Sequence, residues 1–330
     1  MHPGQWFATL LTVVALVSCN SEGTNRKATG DSDGSFLRFA RDGKPVLQYA
    51  VTEQLRPDTL PAYYARSGYI DSVYSPAGRL LTDAFPVGHT HQHGIFTAWT
   101  NTTFRGEHLD FWNQQDTTGT VRHREVKTTH EGTATSGFEA IQEQVSRRFG
   151  PVLRDRWHVR LHRTRSGAPH VWDLRSEQEN ITADTLYLNR HTYGGLGVRG
   201  SAEWNPADSL RFRSPARFLT SEGAGREAAN HTRPRWTAIY GELSGPDGSG
   251  VAGIAVFPHP DDRHGPRFVR VHPEMPYLSV TPVAREGFAL APGERYLSRF
   301  RFVTFDGEPD PAVLNAYGWD ELSAADDPGM

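Results

Sequence analysis

The chain has 330 residues, with 35 Lys and Arg against 38 Asp and Glu for a net charge of −3, and a single cysteine. That balance leaves no electrostatic footprint for nucleic acid, and one cysteine excludes both an internal disulfide and a zinc site built on thiolates. Beyond the N-terminal region no apolar run approaches the roughly 20 residues that a spanning helix needs.

In chain order, the stretch from Phe7 to Val17 is almost wholly apolar and closes on Leu16-Val17-Ser18-Cys19. A short apolar segment ending in small residues and a cysteine has the form of a lipoprotein signal peptide, although Met1 to Trp6 carry no Lys or Arg. Residues 1–18 are therefore read as a cleaved signal and Cys19 as the lipidated residue, whose acyl chains together give stable anchoring. Residues 19–35 are polar and rich in Gly and Ser, a composition suited to a flexible tether. The expected location is the cell envelope, extracytoplasmic in the periplasm or at the outer membrane, with the membrane touched through the anchor only.

Residues 36–330 read as one β-sandwich domain. Apolar and aromatic residues alternate in short runs punctuated by Gly, Pro, Asp and Asn, with 32 Gly and 22 Pro in all, which is an all-β pattern. The predicted strands are Val46 to Thr52, Tyr63 to Tyr74, Leu109 to Trp112, Val121 to Thr128, Trp157 to His162, Trp172 to Glu179, Leu186 to His191, Trp236 to Leu243, Val251 to Phe257 and Tyr296 to Phe305. Turn residues at Ser75 to Gly78, Pro246 to Gly248 and Ala291 to Glu294 support hairpins. Asp208 to Arg235 is weakly patterned and reads as a long excursion, and Pro311 to Tyr317 as the one candidate helix. So many antiparallel strands require two packed sheets, a large two-sheet sandwich.

The densest group of chemical residues is Gly88-His89-Thr90-His91-Gln92-His93-Gly94. On an extended backbone positions i, i+2 and i+4 share a face, so His89, His91 and His93 are expected to present three imidazoles in a row. Neutral imidazoles serve as acid and base near neutral pH or as metal ligands; a polar loop with merely hydrogen-bonded histidines is the alternative. In His108-Leu109-Asp110-Phe111-Trp112, Leu109 and Phe111 belong to the core, which turns His108, Asp110 and Trp112 outward. A hairpin connection over Thr100 to Gly106 would pair this strand with Gly94 to Trp99 and bring Asp110 to the histidines. There Asp110 would orient an imidazole and Trp112 would stack on a sugar, the alternative being a satisfied Asp and a packing Trp.

The run Asn189 to Gly200 contains G-x-G-x-x-G at Gly195, Gly197 and Gly200, but no βαβ unit surrounds it and no helix follows, so a dinucleotide site is rejected. Its glycines are expected to bend the chain at a sheet end and to display His191, Tyr193 and Arg199. His259, between Pro258 and Pro260, ends a strong strand and could reach a site at that end or serve structure alone. No G-x-S-x-G, H-E-x-x-H or P-loop motif is present.

These segments resemble a bacterial family of extracytoplasmic proteins labelled methane oxygenase PmoA. The resemblance covers about Gly43 to Gly307 and rests on Gly88 to Gly94 where the family carries an HPHHRG-like motif, Leu109 to Trp112, Tyr193 to Arg199, Gly253 to Pro260 and Pro292 to Glu294. The chain departs from the family pattern at Gln92 and Gly94, which flank His93. The resemblance implies a galactose-mutarotase-like β-sandwich and a carbohydrate context; methane oxidation is rejected, because the oxygenase subunit of that name is a multi-span membrane protein.

The leading reading is a carbohydrate-active enzyme, epimerase or mutarotase-like or a lyase, acting on a sugar or oligosaccharide. His91, His93 and His191 supply acid and base. Asp110 orients a histidine, and Arg199 stabilises an anion or carbonyl. His89, Trp112, Tyr193 and His259 contact substrate. A non-catalytic glycan-binding lipoprotein is the second reading and a histidine-dependent metalloenzyme the third. No cofactor is identified beyond that divalent metal, and no oligomeric state is implied.

Overall fold

The computed structural model describes Met1 and residues 29–32, 34–131, 135–165 and 167–320. The expected signal peptide and Cys19 lie outside the described residues. Strand accounts for 48% of the structure and helix for 7%, so the all-β expectation holds. None of the described helices is long and apolar enough to cross a membrane.

Two eight-stranded antiparallel sheets make the sandwich, and a four-stranded sheet not anticipated from the sequence is added to them. The first sheet runs in space through Thr29–Ser32, Phe36–Arg41, Lys44–Ala50, Tyr69–Val73, Ile95–Ala98, Gly195–Arg199, Tyr277–Thr281 and Phe268–Val271. The second runs through Arg217–Thr220, Thr237–Leu243, Gly250–Pro258, Arg295–Asp306, His170–Asn180, Gly150–His162, Thr135–Ser146 and Gly119–Glu131. The small sheet joins Phe288–Leu290, Leu186–Leu188, Thr102–Phe104 and Glu107–Leu109.

Several boundaries move from their expected places. Thr29–Ser32, inside the stretch read as tether, pairs with Phe36–Arg41 as an edge strand. Tyr63 to Tyr74 is split, with a 3-10 turn at Ala62–Tyr64 and a strand only over Tyr69–Val73. The Asp208 to Arg235 excursion contains the edge strand Arg217–Thr220 and a single helical turn, Arg226–Ala229.

The two large sheets share one core because their inward positions alternate with outward ones. Leu196 and Val198 point inward and meet Ile95, Leu278 and Val280 of neighbouring strands. Trp157, Val159, Ile254 and Phe302 face them from the second sheet, where Trp172 stacks on its cross-strand partner Phe302 at 3.9 Å. One carboxylate sits in this interface. Buried Asp155 accepts hydrogen bonds from Thr97 Oγ1 and Ser176 Oγ, both at 2.7 Å, and from Trp157 Nε1 and Gln178 Nε2. Burial still pushes its pKa upward.

The outward face of the first sheet carries most of the candidate residues. Gly197, Arg199, Tyr277 and Ser279 alternate with the inward residues, and register pairs Arg199 with Tyr277 and Gly197 with Ser279. A second apolar cluster, containing Phe96, Trp112 and Tyr277 with Leu186, Leu188 and Leu290 of the small sheet, covers part of that face.

Candidate functional site

The histidine run lies on a loop that leads into the Ile95–Ala98 strand. Its ends pair: Phe85 N–H donates to the Gln92 carbonyl at 3.0 Å and Gly94 N–H to the Asp83 carbonyl at 2.7 Å. The tip is two successive turns, with His89 N–H on the Pro86 carbonyl and Gln92 N–H on the His89 carbonyl. Gly88 holds φ at +84°, a left-handed conformation that favours glycine. Because turns and not extended chain carry the run, the period of two is lost and the three imidazoles do not share a face.

His93 departs most from the expectation, turning inward with no exposed surface. Its ring packs against Phe85, Tyr69 and Phe96, with centroids 4.5, 5.1 and 5.9 Å away. Its Nε2 lies 2.8 Å from Gln114 Oε1. The Gln114 amide nitrogen donates to the carbonyls of Tyr63, Tyr64 and Ala65, which fixes Oε1 as the acceptor and so places the His93 proton on Nε2. His93 is thus framework at the root of the loop.

His89 and His91 remain half-buried at the tip, with ring centroids 5.8 Å apart. A third imidazole joins them that the sequence did not single out. His272 lies 5.2 Å from His89, centroid to centroid. Its Nδ1 accepts from the amides of Glu274 and Met275, so Nε2 carries its proton.

Arg199 stands beside this trio. It is fully buried, and Nη1 donates to Gln92 Oε1 at 3.0 Å, while Nε and Nη2 have no partner among the described residues. Burial lowers its pKa to about 10, with Asp83 opposing the drop and Arg211 adding to it. Burial, then His89 and Arg199, push His91 down to about 3. Burial and neighbouring charge, His89 first, lower His272 to about 4, and burial with Arg199 lowers His89. All three imidazoles are therefore neutral at physiological pH.

The remaining predicted residues gather at the other end of the same face. Trp112 is buried, so it cannot be the exposed stacking platform; its ring packs on Phe96, Tyr193 and Tyr277. Gly197 makes that packing possible, since a Cβ there would stand 2.7 Å from both the Phe96 and Trp112 rings. Asp110 is also buried and does not reach the His89 loop. It accepts from the amides of Trp112 and Asn113, from Thr100 Oγ1 and from Asn113 Nδ2, and so organises its own bend.

His191 packs on Tyr193 at 4.6 Å, and burial lowers its pKa against the field of Asp110. Tyr193 donates to Asn113 Oδ1 at 3.2 Å. His191 and Tyr193 are thus joined to the Arg199 end through Trp112 and Tyr277. His259 is elsewhere. It lies 4.7 Å from Trp319 and lines a separate cavity of about 290 Å³ with Trp236 and Phe257, on the second sheet.

A metal on the histidine run finds no support in this geometry. Among the described residues, the trio of ligand type with donor atoms within 4.8 Å of one another is His108, Asp110 and Asp116. Asp110 there already accepts four hydrogen bonds.

A family model matches residues 37–318. The chain belongs to DUF6807, a family of unknown function. The match spans both large sheets apart from the edge strand Thr29–Ser32 and the first residue of its neighbour, and it includes every residue of the outward face named above. No curated protein matches this DUF6807 chain. Among solved structures, a heparan sulfate lyase HepC mutant from Pedobacter heparinus is similar at 10% identity and a TM-score of 0.39, over 85% of this chain and 37% of that one. The GH36 alpha-galactosidase AgaA from Geobacillus stearothermophilus is similar at 12% identity and a TM-score of 0.37, over 85% and 41%. The DUF6807 chain spans about two-fifths of the length of these structures.

Proposed function

We propose that this protein is a carbohydrate-active enzyme, epimerase or mutarotase-like or a lyase, whose working groups are His89, His91 and His272 with Arg199. The observation that carries the reading is a half-exposed trio of neutral imidazoles set beside a buried guanidinium with two unpartnered nitrogens. Neutral imidazole withdraws a proton from a sugar hydroxyl or an acidic C–H while a neighbouring ring N–H donates one, and the guanidinium stabilises the charge that develops on oxygen. His91 is the proposed base. His272, with Nδ1 already engaged, serves only as a donor.

The second reading, a non-catalytic glycan-binding protein, draws support from the half-buried Tyr193 and His191 rings at the far end of the face. Turnover measured across a panel of sugars and oligosaccharides separates the two. Product formation that is lost in His91→Ala while the fold persists is the expected result. Binding without product would favour the second reading, and neither binding nor product would end the carbohydrate assignment.

The reading includes an extracytoplasmic protein held by a lipid on Cys19, supported by the apolar run and lipobox of the sequence. The resemblance to the PmoA-labelled family belongs to the same proposal.

A further inference from the structure

We infer that the sugar taken by this site is acidic, its carboxylate seated against His89, His91 and His272 over the free edge of Arg199. The inference rests on the carbohydrate reading above and narrows it to uronate-type ligands.

Charge is the first argument. A buried guanidinium is ordinarily paired, because an isolated charge is costly to remove from water. Arg199 has no carboxylate within ion-pairing distance among the described residues. Asp83, the nearest acidic influence on it, pairs instead with Arg211 at 3.6 Å, and Arg211 is itself held by Asp208 at 2.6 Å.

Geometry is the second. Nη1 is spent on Gln92, which leaves Nε and Nη2 unpartnered. These two nitrogens share one edge of the planar fork, and that edge offers two parallel N–H donors to the two oxygens of a carboxylate. The His272 Nε2–H adds a third donor of the same kind, since its Nδ1 is committed to backbone amides.

The third argument is what the imidazoles lack. With His91 at about 3, the base is weaker than proton transfer near neutrality favours. Burial is the first cause of that depression and the charge of Arg199 adds to it, so an anion placed on the guanidinium opposes the charge contribution and raises the imidazole. An acidic substrate thereby completes the electrostatics of its own site. Because Arg199 is covered in the free protein, seating the carboxylate requires side-chain adjustment at the loop tip carrying His89 and His91, a scale of movement common on binding.

The test uses calorimetric titration of the full chain with glucuronate, galacturonate and an oligogalacturonate, against glucose, galactose, a neutral galactan oligomer and galactose 6-sulfate. Imidazole Cε1–H signals are followed by NMR in parallel. Acidic sugars should bind at least about tenfold more tightly than their neutral parents, the worth of one good charged hydrogen bond. Added salt should erode the difference, and the signals of His89, His91 and His272 should move on binding. Arg199→Gln should erase the preference; Arg199→Lys, which keeps the charge but loses the fork, should retain only part of it. Equal affinity for acidic and neutral sugars would overturn the inference and leave the carbohydrate reading standing. Preference for the 6-sulfate alone overturns the carboxylate assignment, as do signals that move only at other histidines. If no sugar of either class binds, the carbohydrate reading fails and this inference with it.

Discussion

Arg199 and Gln92 hold each other beneath the histidine loop, the guanidinium Nη1 donating to the amide Oε1 at 3.0 Å between two buried side chains. The bond ties an outward position of the Gly195–Arg199 strand to the tip of a loop from a different part of the sequence. Gln92→Ala leaves the guanidinium without its one side-chain acceptor. It is expected to lower stability by about 1–3 kcal/mol, the usual cost of orphaning a buried polar group, read from urea melts.

His93 and His91 should respond oppositely to truncation. His93→Ala orphans the Gln114 amide oxygen and opens space among three aromatic rings, so a loss of at least about 1–3 kcal/mol is expected. His91→Ala, at the half-buried tip, should stay close to the ~0.5 kcal/mol of ordinary surface changes while removing activity. Melts paired with a turnover assay check both; a stable, fully active His91→Ala protein would remove the proposed base.

Acid should weaken the fold through these imidazoles. His91 is lowered to about 3 and His272 to about 4 in the folded protein, by burial first and by neighbouring positive charge second. An unfolded histidine titrates near ~6.5, so between these limits the unfolded chain binds more protons. Stability therefore rises with pH across that window and falls as pH drops through it. Urea midpoints recorded from about pH 7 down to about pH 4 should show this slope, and replacing both His91 and His272 with Gln should make it shallower without removing it, because burial also lowers His123 and His170 to about 4.

Gly197→Ala tests the close approach on the outward face. Its Cβ would meet two aromatic rings at 2.7 Å, and overpacking of this kind costs about 1–3 kcal/mol. Phe96 and Trp112, which pack on each other, must give way in response, so a changed tryptophan emission spectrum should accompany the lower melting point.

Much of the fold was legible because the second sheet is built of long strands whose alternation survives, such as Gly150–His162 and Arg295–Asp306. The site was legible only in part. His89, His91 and Arg199 were found from composition and motif, but the orientation of His93 was not, since turns at Pro86 and His89 break the alternation on which the expectation relied. Trp112 and Asp110 lie in a bend, where period-two reasoning does not apply. His272 is a lone histidine in its local sequence, brought in by the pairing of Tyr277 with Arg199. A weak signal was present in Pro273 and Pro276, which bracket a tight connection.

The lipid anchor has its own test. Metabolic labelling with a fatty-acid analogue should mark the wild-type chain and not Cys19→Ala, because only that thiol is available in the sequence. Label retained by the variant would exclude this attachment site.

The burial of His93 bears on how the loop moves in time. A loop pinned at its root inside an aromatic cage, with the Phe85 and Gly94 amides bonded across it, has no cheap way to detach as a unit. Opening it extracts His93 from the cage, so these amides should exchange with deuterium only at the rate of sub-global or global unfolding, as a foldon shared with the Ile95–Ala98 strand. Ligand entry then depends on rotation of the His89 and His91 side chains, fast compared with exchange, while the backbone that aims them stays locked.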